Sequence, residues 1–348
     1  MKKFNIDKYI LENYKTKTNA QMALECGCCK STISNKRKKL GISATDLNNE
    51  LREKTPYICK MYGRKTAHQI SKELNCSVSF VKKIWKENDL TGTINTNYYY
   101  DINYFEKIDS PQKAYWLGFI ASDGNLYRRE GHQGLVSISV NEKDIELLDN
   151  LKKDLNTTKP IHIIEDKRRP DTRMACLQIT GDKFFNDILN LGIGIRKTFS
   201  MNLDEVFQKI PKKFIPDFIL GYFDGDGSID IPQDNTINKS HVRIAGPEKS
   251  LKVFQSFFLS LGITSSIQID NRKYSQPFGS LEFKNSSEKY CFLKIIYSSE
   301  INSLNRKKER ANILLQRIED NITNRSENIK AINSYKSVVI KRGELLER

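Results

Sequence analysis

The first quarter of the chain contains two blocks of apolar residues at helical spacing, and the blocks resemble one another. TNAQMALECGCCKSTISNKRKK (18–39) aligns with TAHQISKELNCSVSFVKKIWKE (66–87) at a period of 48 residues. In each block the apolar positions follow the helical period on both sides of a turn, at Gly27 or Asn75. The pattern predicts an all-α region of two helix-turn-helix units, over 1–47 and 48–93.

The second helix of each predicted unit has one apolar face and one polar face. We expect the apolar face to pack against the preceding helix, and the polar face to be exposed. Its side chains are donors that suit phosphates and base edges. The predicted DNA-binding residues of this region are Lys30, Ser31, Thr32, Asn35, Lys36 and Arg37 in the first unit and Ser77, Ser79, Lys82, Lys83 and Lys86 in the second.

A larger duplication follows a polar, Asn-rich linker at 94–109. AYWLGFIASDGNL (114–126) aligns with DFILGYFDGDGSI (217–229), which places Asp123 and Asp226 in register. After each apolar helix come alternating strand patterns, a helical run, two more strands and a closing helix. Each copy therefore predicts the order αββαββα, in an α+β fold with a pseudo-two-fold axis. The predicted repeats are 110–207 and 208–318, and we expect 319–348 to be a helical, basic tail.

Small residues four positions apart predict that the two apolar helices pack together. Gly118 and Gly221 occupy matching positions, each with a second small residue four positions later, and such spacing lets two backbones approach. Pairing would bring Asp123 and Asp226 together at the helix ends, where the carboxylates repel each other and the helix dipoles oppose them. A divalent cation relieves both effects, so the expected cofactor is Mg²⁺, with Mn²⁺ as a substitute.

The stretch FDGDGSID does not fit an EF-hand calcium loop. If Asp224 is the first position, Ile229 occupies the sixth, where the loop needs glycine, and Asn235 the twelfth, where it needs glutamate. Asp224 has Ala121 as its counterpart in the first copy, and Asp230 has no obvious counterpart. We therefore expect Asp224 and Asp230 to be non-essential.

Charge and composition indicate a soluble protein with a polyanionic partner. The net charge is +15, and residues 1–93 hold 19 Lys and Arg against 9 Asp and Glu, which favours nucleic acid. Seven cysteines without zinc-ligand spacing are expected to be reduced thiols. The sequence has no apolar stretch of the roughly 20 residues that span a bilayer and no signal core. We expect a cytoplasmic protein without a membrane partner, associated with the nucleoid through DNA and encoded by a bacterium or phage.

WLGFIASDG (116–124) and ILGYFDGDG (219–227) resemble the nine-residue motif of the LAGLIDADG homing endonucleases. Gly118 and Gly221 stand at its third position, and Asp123 and Asp226 at the acidic eighth; Ala121 departs from the acid common at the sixth. Two motifs in one chain resemble the single-chain, monomeric members. The resemblance, over about 110–318, implies two repeats that form a DNA-binding saddle. It also implies metal-dependent cleavage of both strands of double-stranded DNA at a long site.

The resemblance also implies roles for further residues. Asp123 and Asp226 would hold the metal. Lys197 and Lys307 would be catalytic residues near them that polarise water or stabilise developing charge, with Lys308 as a competitor for Lys307. Glu142, after the first long strand, would be a water-organising catalytic residue. Residues predicted to contact DNA from the strands are Asn125, Tyr127, Arg128, Arg129, Ser137, Ser139, Arg168, Arg169, Arg173, Ser228, Arg243, Gln268, Arg272, Lys273 and Lys284.

Two other functions remain open from the sequence. One is a non-cleaving transcriptional regulator that resembles sporulation regulators with a degenerate LAGLIDADG fold. Those proteins carry the helix-turn-helix after the fold and lose the acids, whereas here it comes first and both acids are present. The other is an RNA maturase that binds group I intron RNA. The helix-turn-helix region is not part of the family's core fold, and we expect it to extend the DNA footprint.

Overall fold

The chain folds as two units, one of Met1–Asp101 with Asn156–Thr158 and one of the remaining residues. The computed structural model describes residues 5–14, 17–42, 53–62, 65–88, 90, 98–166, 169–195, 197, 201–233, 239–270 and 276–323. Within these ranges no helix has the length and apolar character needed to cross a membrane. All seven cysteines are free thiols.

The described part of the N-terminal unit has three helices in each 48-residue copy. The first copy contains α1 (Ile6–Asn13), α2 (Asn19–Glu25) and α3 (Lys30–Lys39), and the second contains α4 (Thr55–Lys60), α5 (Ala67–Glu73) and α6 (Val78–Glu87). The predicted helix pairs are α2 with α3 and α5 with α6. The helix before each pair, α1 or α4, was not predicted.

Matching capping signals fix the boundaries of these helices. Thr18 and Thr66 each begin a helix with a capping box, in which the threonine hydroxyl and a glutamine three residues later satisfy free backbone N–H groups. At the following turn Gly27 has φ of +63° and Asn75 of +50°. These left-handed positions suit glycine and asparagine.

A side-chain cluster joins the first and second helices of each copy. In the second copy the Tyr57 hydroxyl donates to Glu73 at 2.8 Å, and the Lys65 ammonium lies 2.7 Å from the same carboxylate. The first copy repeats the cluster with Tyr9, Lys17 and Glu25. The 48-residue repeat therefore includes the unpredicted helices.

The second unit contains two repeats with the same order of elements. The first has α7 (Pro111–Ser122), β1 (Gly124–Tyr127), β2 (Leu135–Asn141), α8 (Ile145–Asp154), β3 (His162–Asp166), β4 (Arg169–Thr180) and α9 (Asp182–Asn190). After α10 (Leu203–Lys209), the second has α11 (Ile215–Asp226), β5 (Gly227–Asp230), β6 (His241–Pro247), α12 (Glu248–Ser260), β7 (Ser266–Ile269), β8 (Phe278–Phe283) and α13 (Ser286–Ile296). The helix α14 (Asn305–Thr323) follows. The predicted αββαββα order and α+β class are confirmed.

The two antiparallel sheets share one topology and one register. Their strand orders are β1-β2-β4-β3 and β5-β6-β8-β7. Gly124 lies opposite Ile138, and Gly227 lies opposite Ile244. Alternate residues of β1, β2 and β6 are buried, as the period of two predicts. The polar residues between them form what we call the outer face of each sheet.

The motif helices α7 and α11 touch backbone to backbone at two glycines. A Cβ atom at Gly118 would overlap the carbonyl oxygen of Phe218, and one at Gly221 would overlap that of Tyr115. The contacts are reciprocal, as expected for two copies related by a pseudo-two-fold axis. The predicted pairing through small residues is confirmed, and the large side chains beside the glycines are buried.

Replacement of Gly118 by alanine should destabilise the protein strongly. Overpacking costs about 1–3 kcal/mol where side chains can move, and here the obstacle is a backbone carbonyl. We therefore expect a loss of about 3 kcal/mol or more in the free energy of unfolding by urea. The control is Gly262→Ala, which has open space around its Cβ and a φ of +79°, and should cost about 1–2 kcal/mol. Equal losses would contradict the close helix contact.

Candidate active site between the paired helices

The two motif acids stand at the C-terminal ends of the paired helices. Asp123 is the C-cap of α7, and Asp226 is the last residue of α11. Burial raises the pKa of Asp226 to about 6, and the nearby charge of Asp123 acts in the same direction. Burial also raises the pKa of Asp123, against the charges of Lys197 and Lys307. The Asp123 side chain nevertheless reaches solvent, as expected for a group crowded by protein on most sides and open on one.

Two lysines bind the last carbonyl groups of the motif helices. The Lys197 ammonium donates to Ile120 O at 2.9 Å and to Ser122 O, and the Lys307 ammonium donates to Phe223 O at 2.7 Å. Ile120 and Phe223 are matching motif positions, so the arrangement is duplicated. Each lysine supplies positive charge at a helix end, where the helix dipole is negative.

The buried position of these lysines makes their ammonium groups more acidic than that of an exposed lysine. Burial lowers the pKa of both Lys197 and Lys307 to about 8, although the nearby carboxylates oppose the shift. Lys307 is buried, whereas Lys308 is partly exposed. The structure therefore brings Lys197, Lys307 and the two acids together, and it selects Lys307 over Lys308 for this place.

The acids have the chemistry of an incomplete metal site. Among the described residues, neither the Asp123 nor the Asp226 carboxylate has a hydrogen-bond or ion-pair partner in the protein, although their charges are close enough to interact. The same residues contain no group of three or more His, Cys, Asp or Glu that could hold a metal ion. Mg²⁺ commonly binds through one or two carboxylates, with water and a substrate phosphate. The residues present fit such an ion.

Asp224 is not the incidental acid that the sequence suggested. Its side chain is 2% exposed, and one carboxylate oxygen accepts hydrogen bonds from the Tyr115 hydroxyl and the Leu304 N–H, both at 2.8 Å. Burial raises its pKa to about 6, and the Leu304 hydrogen bond opposes the shift. Asp224 thus ties α11 to α7 and to the segment that precedes α14. Asp230 is exposed.

A groove of about 640 Å³ leads from Asp226 along the outer face of the second sheet. Its lining includes three of the predicted DNA-binding residues, Ser228, Arg243 and Gln268. The groove connects the acid to side chains that can contact base edges and phosphates.

Glu282 is a further residue of this outer face that the sequence did not single out. It is 7% exposed and lies within hydrogen-bond distance of three side chains: His241 Nδ1 at 2.6 Å, Arg243 Nε at 3.2 Å and Gln268 Nε2 at 3.1 Å. The alternation of side chains along β8 could have predicted that Glu282 lies on the outer face. Its partners follow from the cross-strand pairing of Glu282 with Arg243, which the sequence does not reveal.

The remaining predicted strand residues are distributed over both sheets. Asn125 and Ser137 face each other across β1 and β2, as Ser228 and Arg243 do across β5 and β6. Others in the described part of the chain are the exposed Tyr127, Arg129 and Lys284 and the half-buried Ser139. Arg168, Arg272 and Lys273, and the side chain of Arg169, lie outside the described residues.

Two arginines of the first repeat that were predicted to contact DNA, Arg128 and Arg173, are held in ion pairs. Arg128 contacts Asp182 at 2.9 Å and stacks on the Phe185 ring. Arg173 pairs with Glu142 at 3.1 Å, so the structure gives the predicted catalytic Glu142 an arginine partner. The catalytic role of Glu142 stays a prediction.

In the N-terminal unit, most predicted residues are exposed on α3 and α6, but Arg37 is not. Arg37 is 6% exposed and donates to Asn19 at 2.8 Å, because it faces α2 rather than solvent. The expectation of an exposed Arg37 was therefore wrong. Lys36 is half-buried and pairs with Asp7 at 2.7 Å. Lys30, Ser31, Asn35, Ser77, Ser79, Lys82, Lys83 and Lys86 are exposed, and Thr32 is half-buried.

In the absence of metal, Asp226→Asn should stabilise the protein more at neutral than at acidic pH. The pKa of Asp226 is raised from 3.8 to about 6, so the folded wild type loses stability as the pH rises from about 4 to above 6, while the substituted amide would stay neutral. Between about pH 4.5 and pH 7.5 we expect the stability difference to grow by about 2 kcal/mol. The measurement is urea unfolding in EDTA. Asp230→Asn, at an exposed position, is the control, and a pH-independent difference for Asp226→Asn would contradict the prediction.

Comparison with known proteins identifies one region of the chain. Residues 214–313 match the family model described as LAGLIDADG-like domain. No curated protein matches the chain. Similar solved structures include I-DmoI in complex with DNA and Ca (20% identity, 61% of this chain and 98% of that chain, TM-score 0.40) and I-WcaI bound to its DNA recognition sequence (13% identity, 59% and 90%, TM-score 0.43). The meganuclease I-SmaMI bound to uncleaveable DNA is also similar (14% identity, 69% and 99%, TM-score 0.38).

The matched residues contain the second motif helix and the whole second sheet, and the first repeat has the same order of elements. Residues 214–313 of the chain therefore form a LAGLIDADG-like domain.

Proposed function

We propose that the protein is a site-specific DNA endonuclease that hydrolyses one phosphodiester bond in each strand. The observation that carries the proposal is the pair of carboxylates without described partners, Asp123 and Asp226, at the junction of the motif helices, each helix end bound by a lysine. A purely structural helix junction gains nothing from two repelling acids, whereas a metal-dependent nuclease requires them.

The acids and the lysines of the site would have different roles in this reaction. Asp123 and Asp226 would hold a divalent ion, for which Mg²⁺ is the expected species; when bound, it supplies activation of water and stabilisation of the departing oxygen. Lys197 and Lys307, fixed against helix carbonyls, would offer positive charge to the phosphate as negative charge develops on it. Their anchoring keeps this charge in place before the substrate arrives.

The partner would be double-stranded DNA, bound along the outer faces of the two sheets. Ser228, Arg243 and Gln268 line the groove that begins at Asp226, so contacts to DNA would lie next to the cleavage site. The retained acids favour a nuclease over the regulator that the sequence left open.

The N-terminal unit would add affinity. Its exposed lysines on α6 offer phosphate contacts, and linkage to the endonuclease unit raises the effective concentration of each for the same DNA molecule. In this role the N-terminal unit would lengthen the bound site without taking part in the chemistry.

Asp226→Asn and Asp123→Asn should each abolish cleavage and preserve binding. We would incubate the wild type and variants with a duplex carrying the insertion-free allele of the host locus, in Mg²⁺ and separately in Ca²⁺. We expect cleavage by the wild type in Mg²⁺, and a loss of at least about a hundredfold in both variants. The matched control is Asp230→Asn, which should cleave normally. Cleavage by Asp226→Asn would contradict the assignment, and wild-type binding without cleavage would favour the regulator.

Replacement of the α6 lysines should reduce the salt dependence of DNA binding. If Lys82, Lys83 and Lys86 each neutralise a phosphate, the triple alanine variant should lower the slope of log K against log salt by up to about 2.7. The control removes the same charge from elsewhere in the unit, at the exposed Lys54, Lys60 and Lys72. Equal changes in the two triple variants would show that only total charge matters, and that α6 does not contact DNA.

A further inference from the structure

The outer face of the second sheet carries a carboxylate at a place where negative charge opposes DNA binding. Glu282 lies on β8 and is 7% exposed, and two of its partners, Arg243 and Gln268, line the groove that begins at Asp226. The phosphates of DNA repel a carboxylate, and Lys and Arg are the side chains that neutralise them. The position of Glu282 is therefore better explained by the side chains that it holds than by a phosphate contact of its own.

Both oxygens of the Glu282 carboxylate are engaged by side chains from the neighbouring strands. Oε1 accepts from Arg243 Nε at 3.2 Å and lies 2.6 Å from His241 Nδ1, and Oε2 accepts from Gln268 Nε2 at 3.1 Å. These partners lie on β6 and β7, the two strands that flank β8. Although burial raises it, the hydrogen bonds from His241 and Arg243 hold the pKa of Glu282 below its ordinary value. The carboxylate is therefore ionised at neutral pH and acts only as an acceptor.

This anchor restricts the orientation of the Arg243 guanidinium. The guanidinium is planar and rigid, so the hydrogen bond from Nε to Glu282 limits where the two terminal amino groups can point. Within the described part of the chain, neither terminal amino group of Arg243 has an acceptor. The side chain is 38% exposed and lines the groove. Its two terminal donors are therefore available to a ligand in the groove.

Paired donors of this kind bind two kinds of acceptor in DNA, a phosphate and the edge of a guanine. The O6 and N7 atoms of guanine accept from the two donors in the major groove, and phosphate oxygens accept from them as well. The ionised Glu282 favours the guanine, because it repels a phosphate that approaches the Arg243 donors, whereas the base edge carries no net charge.

We propose that Glu282 is a positioning residue that orients Arg243 to read a guanine in the half of the DNA site bound by the second sheet. The inference rests on the proposed function, because it requires DNA along the outer faces of the sheets. Ser228, Arg243 and Glu282 form one cross-strand row, and Ser228 follows shortly after Asp226. The guanine therefore lies close to the phosphate that Asp226 serves. The charge of Glu282 also weakens binding to unrelated DNA, so specificity increases at the expense of affinity.

The test measures binding in Ca²⁺ to duplexes of the insertion-free allele, each with one base pair changed, and to a duplex of scrambled sequence. We expect the wild type to require one G·C pair in the half-site of the second sheet, where any change weakens binding about tenfold or more. Arg243→Ala should bind every base pair at that position within about twofold, and keep the other preferences. An equal loss on all duplexes would show that Arg243 contacts a phosphate, and would overturn the proposal.

Glu282→Met removes both acceptor oxygens and keeps most of the side-chain volume. It should reduce discrimination at the same G·C pair about fivefold and, because a repelling charge is lost, raise affinity for the scrambled duplex by up to about fivefold. A merely structural effect would weaken binding to both duplexes. Glu282→Gln keeps an oxygen that can accept from Arg243, and should restore most of the discrimination. Unchanged discrimination in Glu282→Met, or equal losses in the two variants, would overturn the role of Glu282.

Asp230→Ala is the matched control for charge. Asp230 is exposed at the end of β5, and within the described residues it has no contact with Arg243. Its replacement removes the same charge from the same outer face, so it should raise affinity for the scrambled duplex and leave discrimination at the G·C pair unchanged. Loss of discrimination in Asp230→Ala would show that surface charge alone determines it, and would contradict the positioning role.

The two levels of the proposal fail differently. Absence of cleavage by the wild type in Mg²⁺ would refute the proposed nuclease, while the binding panel would still decide whether Arg243 reads a guanine. Cleavage by the wild type without a G·C pair that depends on Arg243 would overturn this inference alone. Arg243→Ala replaces a partly exposed side chain, so that comparison holds even if Glu282→Met does not fold.

Discussion

The contact between the motif helices at Gly118 and Gly221 is the constraint on which the second unit depends. A backbone carbonyl of each helix occupies the space where the other helix would have a side chain. No larger residue permits this approach, and only this approach brings the C-terminal ends of two helices to one place. Each helix then runs directly into an edge strand, so the same contact also determines where both sheets begin.

Bringing the helix ends together creates an electrostatic problem that the protein solves only in part. Two negative dipole ends and two carboxylates meet in a crowded space, and the pKa of Asp226 rises to about 6 as a result of burial and of the charge of Asp123. Lys197 and Lys307 satisfy the helix carbonyls but leave both carboxylates without described partners. A bound divalent cation would complete the neutralisation. The remaining repulsion lowers the stability of the folded protein at the place where binding of a cation is most favourable. Such a compromise is common at active sites.

Local patterns in the sequence predicted most of the fold. The alternation of apolar and polar residues predicted the strands, and the matched glycines predicted the contact between the motif helices. The alignment of Asp123 with Asp226 predicted that the two acids lie together. The first helices of the N-terminal copies, α1 and α4, were missed because they lie outside the aligned blocks 18–39 and 66–87, although Tyr9 and Tyr57 repeat at the same period. The environments of Asp224 and Arg37 were misjudged for another reason. Asp224 binds the distant Leu304, and Arg37 binds Asn19 on the neighbouring helix α2. Composition and spacing do not reveal such partners.

Because the two repeats are encoded separately in one chain, a residue of one repeat can change without a change in the other. Arg243 and Glu282 pair on the outer face of the second sheet, where the first sheet has Ser137 and Gln178. The acid–base cluster around Glu282 restricts the side chains beside Asp226, whereas Ser137 and Gln178 form a neutral surface. Asp224 and Ala121 extend the same difference to the buried surface of the motif helices. The symmetry that brings the acids together is thus retained in the helix contact, whereas the outer faces of the two sheets carry different side chains.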